Sequence, residues 1–373
     1  MALAYNMKII PSSESKQRIW SNTVDQRWCS NLENAKFIDG HDLFTYFLPR
    51  YIDRNKKALL DDVILNKKYI PSKKQILISR FIPKPLPDYY TYEQHVDSTK
   101  SYEFLPNVFD YKPIGGSHTI EWYMNFANHD IFAYYHSSLL AQDELQVLEC
   151  PQLASLREFL LKQNRSTDNG DQPFDSHVIE GNSPYPILIG NVERALELNT
   201  TNLYGHKFST SSESTVLSSY TYLDSRQIVN LIAIEAPKYG SGSYTHKQIE
   251  YILQACFTAY CAARALADTI YNLKTDQLPR TPLKTYVHTG WFGCGAYGGD
   301  RTIMIILQIL AAKMAGIDKL IFHTVTNDCD REIKNAKSCL ENLLHRSQNQ
   351  VSMNELIKRL IDKGFQWGAS NGT

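Results

Sequence analysis

Apolar and polar positions divide this chain into three textures. Residues 1 to about 85 carry apolar clusters at helical spacing and little β pattern. Ser72-Lys-Lys-Gln75 has the form of a capping box behind Pro71, and Ile76, Leu77, Phe81 and Ile82 follow, which predicts a helix. Pro83, Pro85 and Pro87 end it, because proline neither continues a helix nor donates an amide. The boundary is set there: a helical accessory region at 1–87 and a larger domain at 88–373. Between 88 and 240, short apolar runs alternate with polar stretches. Pro186 to Gly190 and Ile228 to Ile234 read as strands, and 163–176 and 209–220 as surface loops.

After residue 246 the pattern sharpens. A long helix is predicted from Gln248 to Tyr271, then a strand at Thr285–Thr289 and a glycine-rich turn at Gly290–Asp300. A helix follows at Arg301–Ala315, apolar nearly all round and therefore buried, and then a strand at Lys319–His323. Strand, helix and strand in this order form a βαβ unit, which implies a largely parallel sheet flanked by helices. Two more helices are predicted near 330–345 and 353–363.

Hydrophobic content of 43% and charged content of 21% fit an ordinary globular protein. The 39 basic and 39 acidic residues cancel and form no long basic run. Tracking a nucleic acid by phosphate neutralisation therefore has no electrostatic basis, and any nucleotide ligand is a pocket ligand. The seven cysteines are odd in number and scattered, as expected in a reducing compartment, and none joins histidines at zinc-ligand spacing. No metal or other cofactor is expected. The first residues lack the apolar core of a signal peptide, and no stretch reaches membrane-spanning length. The expectation is a monomer in the cytosol, without membrane insertion, or one exported by a route that needs no classical signal.

Gly290-Trp-Phe-Gly-Cys-Gly-Ala-Tyr-Gly-Gly-Asp300 places five glycines in eleven residues between a strand and a helix. Glycine permits positive φ and close backbone approach, so successive amides can converge on an anion, and the helix start adds its dipole. A tight turn without a ligand needs fewer glycines. Gly293 to Gly298 also fits the GxGxxG pattern of dinucleotide-binding enzymes. The acidic residue expected at the end of the next strand is missing, however, since Asp318 precedes that strand. A nicotinamide-dependent oxidoreductase is thus the weaker reading, although both place a diphosphate here.

With Thr289 in front, this loop resembles the TGxxGCGAFGGD loop of the poly(ADP-ribose) glycohydrolase macrodomain, and Ile306 to Ala312 resembles the apolar helix behind it. Ile228 to Glu235 is similar to that family's IVAIDA strand, Asn125 to Asn128 to its DFAN element, and Gln142-Asp-Glu144 to its Gln-Glu-Glu signature. The resemblance implies a macrodomain-like α/β fold and an ADP-ribosyl glycohydrolase acting on modified protein. As implied sites it offers Glu144, Asp143 and Gln142 for catalysis, and Glu121, Asn128, Tyr204, Gly293, Gly295, Ala296, Tyr297, Gly298 and Gly299 for the ADP-ribose. Divergent bacterial effectors of this type suggest single ADP-ribose groups on arginine. The chain departs from the family at Phe132-Ala-Tyr134, where three glycines are usual, and at Asp143, Asn125 and Trp291. Added bulk in place of the glycines points away from polymer.

Cleaving the ribose C1 bond requires an acid for the leaving group and help for a water attacking an oxocarbenium-like centre. Glu144 is the candidate acid. Asp143, about 100° away on a helix, suits a ribose hydroxyl, and Gln142 can fix the loop. Acids at a helix start also have a structural role, through the dipole. A non-catalytic ADP-ribose reader would use the same glycine loop.

Overall fold

The computed structural model describes residues 35–91, 101–164, 173–238, 240–325, 328–344 and 350–368. In chain order the first elements are β1 (Lys36–Asp39), α1 (Gly40–Tyr46), α2 (Arg54–Asp61), β2 (Gln75–Arg80), β3 (Tyr89–Thr91), β4 (Tyr102–Leu105) and β5 (Thr119–Phe126). There follow α3 (Gln142–Glu149), α4 (Pro151–Gln163), β6 (Ile179–Glu180), β7 (Ser183–Pro184), β8 (Ile187–Leu198), α5 (Lys207–Thr210), α6 (Glu213–Ser218) and β9 (Tyr220–Ile234). The last are α7 (His246–Ala265), α8 (Ala267–Thr275), β10 (Lys284–Thr289), α9 (Arg301–Ala315), β11 (Lys319–His323), α10 (Asp330–Leu344), β12 (Gln350–Ser352) and α11 (Met353–Ile361).

Eight strands form one sheet in the order β1-β2-β8-β9-β5-β10-β11-β4. From β9 to β4 every pairing is parallel, and from β1 to β9 every pairing is antiparallel. Two separate cores cover its faces. One packs α7, α9, α10 and α11 against Trp122, Val287 and Phe322, and the other packs α1 to α4 against Tyr123, Ile189 and Leu231. This is the α/β sheet with helices on both faces that the βαβ pattern implies.

The helix expected at 72–82 is instead strand β2. Leu77 faces one core while Ile76 and Ile78 face the other, so the apolar run is a strand buried on both sides. Helical spacing and a short all-apolar run are indistinguishable over six residues. β1 and β2 thus carry the region before residue 88 into the main sheet, alongside helices α1 and α2. The proline stretch lies against α7, where the amide of Lys84 donates to Thr258 Oγ1 at 2.9 Å. The polar stretch at 209–220 also differs from expectation, because Ser212 caps a helical turn and α5 and α6 form there. The predicted long helix breaks at Leu266 into α7 and α8. Within the other expected loop, residues 165–172 lie outside the described residues, as does Cys29.

The predicted helix at 301–315 and strand at 319–323 stand at their expected bounds. Asp300 caps α9 by accepting from the amide of Ile303 at 3.0 Å, and Gly316 ends it at a φ of 68°.

Candidate active site

The chain leaves β5 toward one face of the sheet, into α3, whereas it leaves the neighbours β9 and β10 toward the other face, into α7 and α9. Connections that diverge from adjacent parallel strands open a crevice at their carboxyl ends, where open α/β sheets bind ligands. Three segments identified in the sequence meet there: the Asn125–Asn128 stretch, Glu235 at the end of β9, and the glycine loop after β10. The rings of Phe126 and Phe292 lie 5.7 Å apart and join the first segment to the third.

The acid helix is fastened to β5. Gln142 accepts from the amide of Phe126 and donates to the carbonyl of Met124, both at 2.9 Å. Asn125 donates to Asp143 at 2.8 Å and to Gln146 at 2.9 Å. Glu144 Oε2 accepts from the amide of Ala141 at 3.0 Å, so it also caps the helix start. Asp143 is only 7% exposed and Glu144 5%. Burial, and then the charge of Glu144, push the Asp143 carboxyl up to about 7 against the opposing pull of Asn125, Lys56 and Arg157. Burial raises Glu144 as well, with Lys56 opposing. Two neighbouring carboxyls in this setting titrate as one unit and retain a proton near neutrality. Tyr204 is 42% exposed, yet its hydroxyl meets the backbone of Gln142 and faces Glu144.

Phe132 adopts a φ of 58°, the left-handed conformation that favours glycine. Its ring is fully buried in the core beside α3 and α4, while Tyr134 is 49% exposed. The turn therefore keeps a glycine-type backbone, and the exposed bulk of the triplet is concentrated in Tyr134.

In the glycine loop, Gly293 and Gly298 have φ of 69° and 71°. A β-carbon on Gly293 would stand 2.5 Å from that of Ala236. Gly298 donates to Gly295 O at 3.1 Å and Gly299 to Gly293 O at 2.9 Å, so these two amides shape the turn. The amide of Asp300 donates to the Tyr244 hydroxyl at 2.8 Å. Those of Gly293, Gly295 and Ala296 donate to no described residue. Tyr297 donates its hydroxyl to Glu235 at 2.8 Å, and Lys238 pairs with the same carboxylate oxygen at 2.8 Å. Lys238 also reaches His129 Nδ1 at 3.4 Å and so bridges the two halves of the crevice. Trp291 donates to the carbonyl of Thr324 and carries Arg301 over its ring.

Asn128 leaves a buried side-chain oxygen without a partner among the described residues. Glu121 is already committed. Its Oε1 accepts from the amides of Ile114 and Gly115 at 2.8 and 2.6 Å, and its Oε2 lies 2.9 Å from His288 Nε2. Burial pushes this carboxyl up, but His288 and the two amides outweigh burial and hold it below the usual range. Among the described residues, Asp39, His41 and Asp42 have metal-ligand proximity, but Asp39 is engaged in capping α1. Sequence reasoning missed Lys56 and Lys238, each of which sits in an ordinary polar stretch.

Residues 187–332 match the family model described as poly(ADP-ribose) glycohydrolase, macro domain fold. Over that segment the chain resembles the poly(ADP-ribose) glycohydrolase macro domain. The matched segment of the macrodomain runs from β8 through the glycine loop to β11, and the acid helix precedes it. No curated protein matches the chain. Among solved structures it is similar to poly(ADP-ribose) glycohydrolase from Thermomonospora curvata bound to the inhibitor ADP-HPD. The identity there is 14%, covering 76% of this chain and 98% of that one, with a TM-score of 0.34. It is also similar to the Deinococcus radiodurans enzyme in complex with ADP-ribose. That pair shares 12% identity over 86% of this chain and 100% of the other, with a TM-score of 0.36. Among the described residues, no helix is long and apolar enough to cross a membrane.

Proposed function

We propose that the protein is an ADP-ribosyl hydrolase that removes single ADP-ribose groups from modified protein, with Glu144 as the general acid. The observation that carries this reading is a buried acid pair, retaining a proton near neutrality, one strand away from a glycine loop with three uncommitted amides. The amides of Gly293, Gly295 and Ala296 take the diphosphate, aided by the start of α9. Asn128 contacts the ribose end, and Tyr204 covers the ligand above Glu144. The proton held by the pair goes to the leaving group as the C1 bond breaks, and the carboxylate left behind favours the oxocarbenium-like centre and the attacking water. Tyr134 at the rim supports single groups over polymer, since a second ADP-ribose unit would have to pass it. Arginine is the first linkage to test, from the effector-type resemblance.

Glu144→Gln tests the assignment. The amide oxygen still accepts from Ala141 but the side chain no longer releases a proton, so ADP-ribose binding should persist while turnover falls about 10²–10⁴-fold. Full activity in this variant would place the acid elsewhere. Wild-type protein that binds ADP-ribose tightly but releases none from arginine-, glutamate- or serine-modified protein or from polymer would be a reader.

A further inference from the structure

Lys56 is fully buried, which is rare for lysine because removing an ammonium from water is costly. Its Nζ donates to the carbonyl of Tyr135 at 3.0 Å and to that of Leu139 at 2.6 Å. No carboxylate among the described residues stands within ion-pair distance of it. Burial pushes its ammonium down to about 8, and the charges that sustain it are those of Glu144, Asp53 and Asp143. Asp53 is occupied in capping α2, where it accepts from the amides of Asn55 and Lys56. Arg157, the other cation facing Asp143, is held in a bidentate pair with Asp130 at 2.6 Å. Tyr204 faces Glu144 from the open side. Lys56 is therefore the cation left unmatched beside the acid pair.

The same segment grips the turn that leads into α3. The amide of Arg50 donates to the Tyr135 hydroxyl at 2.9 Å, and the amides of Ile52 and Asp53 both donate to the carbonyl of His136 at 3.2 Å. Together with the two bonds from Lys56, five hydrogen bonds run from residues 50–56 to residues 135–139.

We propose that Lys56 is a positioning residue for the acid pair. It clamps the 135–139 turn through two carbonyls and supplies a positive charge to Asp143 and Glu144. This deepens the proposed hydrolase, and it rests on that reading only for its catalytic consequence. With Lys56 charged, the pair loses its shared proton at a lower pH than it otherwise would. Activity that needs that proton falls as pH rises through the pair's titration. Without the ammonium, this alkaline limb moves to higher pH, and Lys56→Arg restores its position.

The experiment needs no substrate, so its outcome is separate from that of the hydrolase assignment. Carboxyl carbon resonances of Asp143 and Glu144 are titrated in wild-type protein, Lys56→Met and Lys56→Arg. The Met variant should move the pair's titration up by about one pH unit, and the Arg variant should leave it near wild type. An unmoved titration in the Met variant overturns the proposal. Should that variant fail to fold, the Lys56 side-chain resonance is titrated in wild-type protein and in Glu144→Gln. Coupling is reciprocal, so removing the Glu144 charge must lower the Lys56 midpoint below its wild-type value. Equal midpoints overturn the proposal in the same way.

Discussion

The hydroxyl of Tyr297, in the middle of the glycine loop, is held at 2.8 Å by the buried carboxylate of Glu235 at the end of the adjacent strand β9. A loop of glycines has little side-chain packing of its own, so this anchor presents the amides of Gly295 and Ala296 in one geometry. A hydrogen bond to a charged group contributes about 1.5–3 kcal/mol. Tyr297→Phe should therefore weaken ADP-ribose binding by about tenfold while leaving the fold intact, as measured by calorimetry. Unchanged affinity would mean that the loop holds its shape without the anchor.

Gly298→Val tests the loop itself. A β-branched residue at a φ of 71° is strained, so the turn must rearrange. ADP-ribose affinity should drop at least tenfold, whereas Gly181→Val, at a similar φ in open space, should leave it unchanged. Equal affinities in the two variants would remove the loop from the binding site.

Asp143 makes stability depend on pH in a stated direction. Its folded value is raised to about 7, so its contribution favours the fold below the ordinary carboxylate range and is lost as pH rises through 7. Asp143→Asn removes the buried charge and should raise stability at pH 8 by about 1–3 kcal/mol, with no gain at pH 4. Turnover should fall at both. Denaturant melts at the two pH values measure the difference, and a gain of equal size at both would exclude the titration as its cause.

Phe132 and Tyr134 separate stability from substrate choice. Phe132→Gly relieves a left-handed residue, a gain of about 1–2 kcal/mol, but deletes a core ring whose loss costs about 3–5 kcal/mol. It should destabilise the protein. Tyr134→Gly alters an exposed side chain and should leave stability nearly unchanged while raising release from polymer relative to single groups. An unchanged ratio would show that Tyr134 does not set this preference.

The elements around the glycine loop were legible because local signals agree there. The apolar pattern of 301–315, the cap at Asp300 and the glycine at 316 each mark the same helix. β2 was not legible, because its partners β1 and β8 are what make it a strand, and β8 lies more than a hundred residues away. Lys56 was hidden for a different reason. It stands beside Lys57 in the sequence, yet Lys56 is buried and the Lys57 side chain is 63% exposed. Residue type alone does not say which of two adjacent lysines turns inward. Phe132 shows the converse, since its side chain is not glycine's although its φ of 58° lies in the region glycine favours.

The grip of residues 50–56 on the 135–139 turn links the chemistry to the far edge of the sheet. A ligand that binds only when the acid helix is in place must also favour the folded form of that edge, because the two are fastened by the same bonds. Amides in β1, β2 and α2 should then exchange with deuterium more slowly when ADP-ribose is bound. A chain begun at residue 88 would lose this link. It would also leave the long strand β8 unpaired along one side, a surface open to pairing between molecules.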